Sequence, residues 1–217
     1  DLGQLDAAVK SYEKALVVEP DYAEAHNNLG VTFQDLGQLD AAVKSYEKLL
    51  AIEPDYPQAH YNLGNALREL GQLDAAVKSY EKALAIEPDY PQAHYNLGII
   101  FQNLGQVNEA VKRFEKTLAL KPDFTKAHYN LSVLKKYTAN DPQIAQMQSL
   151  FSSNDLSQSD RIHLSFALAQ VNEDLGNQDE FFKFLHEGNR LRKEELNYSL
   201  DTSQNLSSTV KKMFSSA

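Results

Sequence analysis

The sequence predicts an all-α protein, a solenoid of stacked antiparallel helix pairs that ends in a degenerate helical unit. The stretch EPDYPQAHYNLG begins at Glu53 and again at Glu87, and residues 35–68 match residues 69–102 at 28 of 34 positions. Each copy contains two stretches with helical periodicity separated by glycine. Because such repeats stack as layers along one axis, the chain length reports the number of layers.

Each copy predicts two helices. The first runs from about Pro57 to Leu70 and has proline in its first turn, where the missing N–H costs nothing. It ends before Gly71, a residue that tolerates the left-handed conformation that often follows a helix. The second runs from about Leu73 to Ile86, because Pro88 cannot continue a helix. The two helices form an antiparallel hairpin, which is one layer.

The repeat frame divides the chain into two regions. A partial first repeat is followed by repeats that start near residues 23, 57, 91 and 125, so we expect a repeat array over residues 1–138. Residues 139–217 are expected to form a degenerate helical capping or linker region. Three helices are predicted there, in NDPQIAQMQSLF, in SQSDRIHLSFALAQVNEDLG with Ser157 or Ser159 as N-cap, and in NQDEFFKFLHEGNRLRKEEL. Closing units of this kind cover the apolar end of a solenoid.

Composition excludes several classes of function. A net charge of −9 argues against a nucleic-acid partner, which needs clustered Lys and Arg. No run of about 18 apolar residues is present, so we expect a soluble, cytoplasmic protein with no membrane partner. The chain has no cysteine, which excludes disulfides and thiolate metal sites. We expect no cofactor, no metal and no catalytic residue.

The chain begins at Asp1, within a repeat, and is therefore expected to be a fragment. Residues Leu5 to Val18 form a second helix whose own first helix is missing. Its apolar side chains would lose the cover that later copies have, so we expect self-association through this N-terminal end.

A spaced set of residues in each copy resembles the tetratricopeptide repeat. In one copy the pattern is His60-x-x-Leu63-Gly64-x-x-Leu67, then Ala76-x-x-x-Tyr80, then Pro88. It returns as His26, Leu29, Gly30, Phe33, Ala42, Tyr46 and Pro54, and as His94, Leu97, Gly98, Phe101, Ala110, Phe114 and Pro122. Histidine stands where the family most often has tryptophan. The resemblance implies a right-handed superhelix whose first helices line a concave groove.

A helical wheel divides the first helix into two faces. His60, Leu63 and Leu67 point to one side, which we assign to the core, while the polar set includes Tyr61, Asn62, Asn65 and Arg68. In the family this second set lines the groove, and stacking turns each position into a column. One column is Asn28, Asn62, Asn96 and Asn130, and its neighbour includes Tyr61, Tyr95 and Tyr129.

An asparagine column suits an extended peptide, since each amide offers a donor and acceptors to a main-chain peptide unit. It resembles the asparagine ladder in the repeat domain of O-linked N-acetylglucosamine transferase. The alternative is that these asparagines only cap or hydrate a helix face. Specificity would come from the columns that vary, Val31, Asn65, Ile99 and Val133, and Gln34, Arg68, Gln102 and Lys136. The expected partner is a protein or peptide.

Two patterns that invite a catalytic or metal function are explained by the repeat. His26, His60, His94 and His128 fall on the core side in successive layers, on the order of 10 Å apart. Zinc needs ligand nitrogens about 2 Å from one ion, so we expect packed structural histidines. The sequence S-x-x-K occurs at Ser11, Ser45 and Ser79, but it recurs with the repeat and lacks its companion motifs.

A second resemblance concerns about residues 125–197. The stretch DRIHLSFALAQVNEDLGNQDEFFKFLHEGNRLR is similar to the segment that joins tetratricopeptide repeats to a sulfotransferase domain in bacterial two-domain proteins. It implies an alternative function, the substrate-recruiting N-terminal arm of a sulfotransferase whose catalytic domain is absent from this chain. The first hypothesis is a scaffold that binds peptide segments. Under both hypotheses this chain binds and does not catalyse.

Overall fold

The computed structural model describes residues 2–196, and within this range the chain forms eleven α-helices and no strand. Residues 197–217, the end of the predicted capping region, lie outside the described residues. The helices fall into two compact units, Asp1–Leu120 and Lys121–Ala217. The predicted all-α architecture is confirmed.

Unit 1 is a stack of antiparallel helix pairs. Its helices are α1 (Leu2–Val18), α2 (Ala23–Asp35), α3 (Leu39–Ile52), α4 (Pro57–Glu69), α5 (Leu73–Ile86), α6 (Pro91–Asn103) and α7 (Val107–Leu120). The pairs α2/α3, α4/α5 and α6/α7 pack most extensively, and α3/α4 and α5/α6 join one pair to the next. This arrangement is an α-solenoid.

The local sequence signals set the helix limits. Helix α5 has the predicted bounds, and α4 begins at Pro57 and ends one residue earlier than predicted. Gly71 has φ of 74°, the left-handed conformation that glycine adopts without a steric cost. Its backbone N–H donates to the carbonyl of Arg68, which satisfies one of the free carbonyls at the end of the helix.

A glycine and an aromatic ring fix the distance between the two helices of each pair. Tyr80 on α5 is fully buried against Gly64 on α4. A Cβ atom at Gly64 would lie 2.7 Å from Cε1 of Tyr80, closer than any side chain allows. The same contact joins Gly30 to Tyr46 and Gly98 to Phe114. The small residue therefore lets one large ring fill the space between paired helices.

Unit 2 contains α8 (Thr125–Leu134), α9 (Pro142–Phe151), α10 (Gln158–Asp174) and α11 (Gln178–Glu195). Helix α10 packs against the other three, and its buried residues include Leu164 and Leu168. Ser157 is the N-cap of α10, and its side chain accepts a hydrogen bond from the backbone N–H of Asp160. The three predicted C-terminal helices are thus present. The array boundary at residue 138 and the capping role stay predictions.

Candidate functional site

In unit 1, α2, α4 and α6 each carry one of the predicted column asparagines at the same position of the repeat. We call the surface that bears Asn28, Asn62 and Asn96 the amide face. These three amides have different hydrogen-bonding states, although their sequence contexts are almost identical.

Asn96 joins two repeats. Its side chain is only 7% exposed, and its Nδ2 lies 2.9 Å from Oδ1 of Asn65, 3.3 Å from the hydroxyl of Tyr61 and 3.4 Å from the hydroxyl of Tyr80. Its N–H groups are therefore used within the protein. The hydroxyl of Tyr80 donates in turn to Oδ1 of Asn65, at 2.7 Å. This network ties α6 to α4 and α5.

Asn62 retains hydrogen-bonding capacity. It is half-buried, and its Oδ1 accepts a hydrogen bond from Nε2 of Gln58 at 2.9 Å. Within residues 2–196 its Nδ2 has no acceptor. The half-buried side chain of Asn28 makes no hydrogen bond to the described part of the chain. Two of the three amides can thus donate to another molecule.

Aromatic rings border Asn62. The ring of Tyr61 lies 4.9 Å from that of Tyr90 and 5.8 Å from that of Tyr80, centroid to centroid. The Tyr90 hydroxyl donates to Oε1 of Gln58, at 2.6 Å. The Tyr90 side chain is therefore positioned by this hydrogen bond and by its ring contact with Tyr61. Tyr95 packs on Phe114 at 5.7 Å. The rings form an apolar shelf beside the amides.

The variable columns explain a change of hydrogen-bond partner between repeats. Tyr46 donates to Oε1 of Gln34 at 2.9 Å, whereas Tyr80 donates to Asn65. Val31 stands where the later repeat has Asn65 and has no side-chain acceptor, and Tyr46 donates to Gln34 instead. In the later repeat Arg68 takes the place of Gln34. Its buried Nε has no acceptor in the part of the chain that the structure describes.

Burial keeps these tyrosines protonated. It raises the pKa of Tyr80 well above its ordinary value, and it raises the pKa of Tyr46 in the same way. Burial, with the neighbouring Tyr61, raises the pKa of Tyr90 to about 12. These hydroxyls therefore remain hydrogen-bond donors at neutral pH.

The remaining predicted site residues differ in surroundings. Gln102 is half-buried on α6. In unit 2, Tyr129 packs its ring on Phe166 at 6.2 Å, and Nδ2 of Asn130 donates to the carbonyl of Lys126 at 2.9 Å. Lys136 follows the end of α8 and does not occupy the helical position that Arg68 has on α4. The amide face is therefore described for unit 1 alone.

The four repeat histidines are structural. His60 is 6% exposed, and its Nε2 donates to the carbonyl of Pro54 at 2.9 Å. His26, His94 and His128 make the same bond to Pro20, Pro88 and Pro122. The prediction that these rings pack in the core is confirmed. Residues 2–196 hold no group of three or more His, Cys, Asp and Glu that fits a metal ion.

Sequence reasoning missed two members of this site, Tyr90 and Tyr80. Tyr90 precedes α6, and an aromatic residue stands at the same place before α2, α4 and α8, as Tyr22, Tyr56 and Phe124. That recurrence was the available signal. Tyr80 entered the sequence analysis only as a position of the repeat pattern, and its hydroxyl reaches the amide face. No described helix has the length and apolar character that a membrane span requires.

Comparisons with known protein families identify the repeats and their positions in the chain. Profiles of the tetratricopeptide repeat match residues 1–37, 33–67 and 64–105, and a second profile of the repeat matches residues 91–124. No curated protein sequence matches the chain.

Solved structures share the fold. Pseudomonas aeruginosa PilF has a TM-score of 0.68 and 20% identity, covering 95% of this chain and 90% of its own. MamA has a TM-score of 0.59 and 23% identity, over 90% and 93% of the two chains. The first such repeat domain of Spaghetti (RPAP3), bound to the HSP90 peptide SRMEEVD, has 0.50 and 25%, over 52% and 89%. With profile matches over residues 1–124, more than half of its length, the chain belongs to the tetratricopeptide-repeat family.

Proposed function

We propose that the amide face of unit 1 binds an extended segment of a partner protein. The observation that carries this proposal is the unused donor of Asn62, half-buried beside the Tyr61 and Tyr90 rings. A side-chain amide pairs with main-chain N–H and C=O groups whatever the segment's sequence. The ring shelf adds apolar area, which holds a peptide without fixing its register.

Arg68 gives the proposed site one charge preference. Its counterparts in the neighbouring repeats are the neutral Gln34 and Gln102. The buried Nε of Arg68 lacks an acceptor within residues 2–196, and a carboxylate would supply one in a charge-assisted hydrogen bond. We therefore propose that the bound segment carries an acidic residue opposite Arg68.

The comparisons support the class of ligand. The first repeat domain of Spaghetti is described with a bound HSP90 peptide, SRMEEVD, and its 25% identity over 52% of this chain makes a peptide a reasonable ligand here. Our proposal is that unit 1 binds a peptide as well, with its own residues determining the peptide's sequence.

The proposal is tested by blocking main-chain hydrogen bonds of a bound peptide. Short peptides that bind the chain on an array are resynthesised with single N-methyl groups and titrated by calorimetry. We expect N-methylation at one or two positions to weaken binding about tenfold, since each blocks a hydrogen bond to an amide. If alanine substitutions in the peptide abolish binding while N-methylation has no effect, recognition is by side chains and the proposal fails.

Three finer expectations remain proposals. The recruiting-arm function depends only on the resemblance of residues 125–197 to sulfotransferase-linked segments, and nothing in the amide face distinguishes it from a scaffold.

Self-association through α1 is tested by sedimentation velocity, where a mass that rises with protein concentration is the expected result. Cytoplasmic location likewise stays a prediction.

A further inference from the structure

We infer that a second site lies between α3 and α5 and takes up an arginine side chain of a partner protein. A cleft of about 690 Å³ opens there, and we call it the outer cleft. Its floor is His60 and Leu63, which point to the opposite side of α4 from Asn62. Its other lining residues include Glu47, Leu50, Asp55, Lys78, Ser79 and Lys82.

The outer cleft recurs one repeat earlier. Between α1 and α3 a cleft of about 330 Å³ lies over His26. The residues at equivalent positions are Glu13 for Glu47, Lys44 for Lys78 and Ser45 for Ser79, and Phe33 also lines it. Because equivalent residues line both clefts, the cleft results from the repeat itself. Its lining includes none of the asparagines of the amide face.

The third complete repeat, residues 91–124, contains its own arginine at this place. Arg113 stands at the position of Ser45 and Ser79, and its side chain is 26% exposed. Its guanidinium lies 4.0 Å from Glu81, the counterpart of Glu47. It also lies 6.0 Å from the ring centre of Phe101, the counterpart of Phe33, which is within the range of a cation–π contact. An arginine in this position is thus compatible with the surrounding residues.

The earlier clefts have the acceptor and lack the arginine. Over residues 2–196, neither Glu47 nor Glu13 lies within 4.0 Å of a basic side chain. Lys116 pairs with Asp89 at 3.3 Å in the third repeat, so the equivalent Lys82 and Asp55 can neutralise each other. The remaining pair, Glu47 and Lys78, lie more than 4.0 Å apart, so the Glu47 carboxylate can accept an incoming cation in competition with Lys78.

The geometry favours arginine over lysine. The methylene stem of arginine can cover Leu50 and Leu63 while its planar guanidinium reaches the carboxylate of Glu47. An exposed ion pair contributes little binding free energy, because solvent and salt screen it. One arginine therefore binds weakly, and a partner needs further contacts on this surface to bind with useful affinity.

The test uses N-acetyl-arginine amide as a probe in an NMR titration of the full chain. We expect saturable shifts at the backbone amides of Glu47 and Ser79, and at those of Glu13 and Ser45. N-acetyl-citrulline amide, which has the same shape without the charge, should bind about two- to fivefold more weakly.

Two substitutions exchange serine and arginine at the equivalent positions of two repeats. Ser79→Arg should supply the arginine from within, fill the outer cleft and abolish the shifts at Glu47, while the shifts at Glu13 remain. Arg113→Ser should open a third cleft and create new shifts at Glu81. A circular dichroism spectrum and melting curve verify that both variants fold. Unchanged shifts at Glu47 in Ser79→Arg, no new shifts in Arg113→Ser, or equal binding of citrulline would each overturn the inference.

Discussion

The second and third complete repeats, residues 57–90 and 91–124, have first helices of 13 residues and second helices of 14 residues. They share the buried histidine, the glycine and the aromatic ring that set the helix spacing. They differ on two surfaces. The second repeat has a polar network at Asn65 and an open outer cleft, whereas the third has Ile99 and a cleft occupied by Arg113. Scaffold positions are kept, and positions on the two proposed binding surfaces vary.

The differences on the amide face are coupled. Tyr80 donates to Asn65 in the second repeat, and Phe114 and Ile99 stand at the same two positions in the third. A buried hydroxyl without a hydrogen-bond partner costs free energy. A repeat that has Ile99 in place of the acceptor is therefore expected to have Phe114 in place of the tyrosine. The polar pair is thus an optional feature added to a constant scaffold.

The largest effect should come from breaking the scaffold that the two repeats share. His60→Asp and His94→Asp remove the bond to the proline carbonyl and bury a carboxylate next to that carbonyl oxygen. We expect each to lower the free energy of unfolding by about 3 kcal/mol or more. Chemical denaturation measures this loss. A loss that differs strongly between the two repeats would show that the scaffold is not equivalent.

The glycine contacts should give the next largest effect. Gly64→Ala and Gly98→Ala place a Cβ atom 2.7 and 2.6 Å from a ring carbon of Tyr80 and Phe114. We expect each to destabilise the protein by about 1–3 kcal/mol, because the ring must move out of a packed site. Gly3→Ala is the matched control, since its Cβ would meet nothing within 4 Å. Thermal melts that rank all three variants alike would contradict the packing argument.

A double-mutant cycle tests the coupled pair. Tyr80→Phe and Asn65→Ile each remove one partner of a hydrogen bond, and the double variant recreates the third repeat's pair. We expect the double variant to lose about 1 kcal/mol less than the sum of the single losses. Urea denaturation of the four proteins gives the coupling. Simple additivity would mean that the two positions vary independently.

The smallest effect concerns the pKa of His94. Burial lowers this pKa, and Arg113 and Lys116 lower it further. Arg113→Ser removes one of these charges, so the pKa of His94 should rise when followed by NMR titration. The pKa of His94 is lower in the folded protein than in the unfolded chain. The neutral ring therefore contributes stability that is fully present above the unfolded pKa and is lost as the pH falls from the unfolded pKa through the folded pKa. The variant should therefore lose less stability on acidification than the wild type.

The sequence predicted those features that depend on local signals. Pro57, Gly71 and Pro88 mark helix ends by their own backbone geometry, and the histidine spacing places those rings in the core. Such features need no knowledge of distances between helices.

The state of each amide could not be predicted in this way. Asn62 and Asn96 have the same flanking residues, and they differ because Asn65 on the preceding first helix accepts from Asn96. The early end of α8 likewise follows from Lys135, whose extended backbone stops the helix. These outcomes depend on contacts between helices, which a one-dimensional pattern does not contain.

The central claim is that a partner's main chain pairs with the amide face, and Asn62 tests it most directly. In a calorimetric titration with an array-selected peptide, Asn62→Ala should weaken binding about threefold to tenfold with little change in melting temperature. Asn108→Ala, the same change at an exposed site on α7, should leave affinity unchanged. Asn96→Ala should lower the melting temperature as well, because its amide ties repeats together. Equal affinities for the wild type and Asn62→Ala would contradict the account.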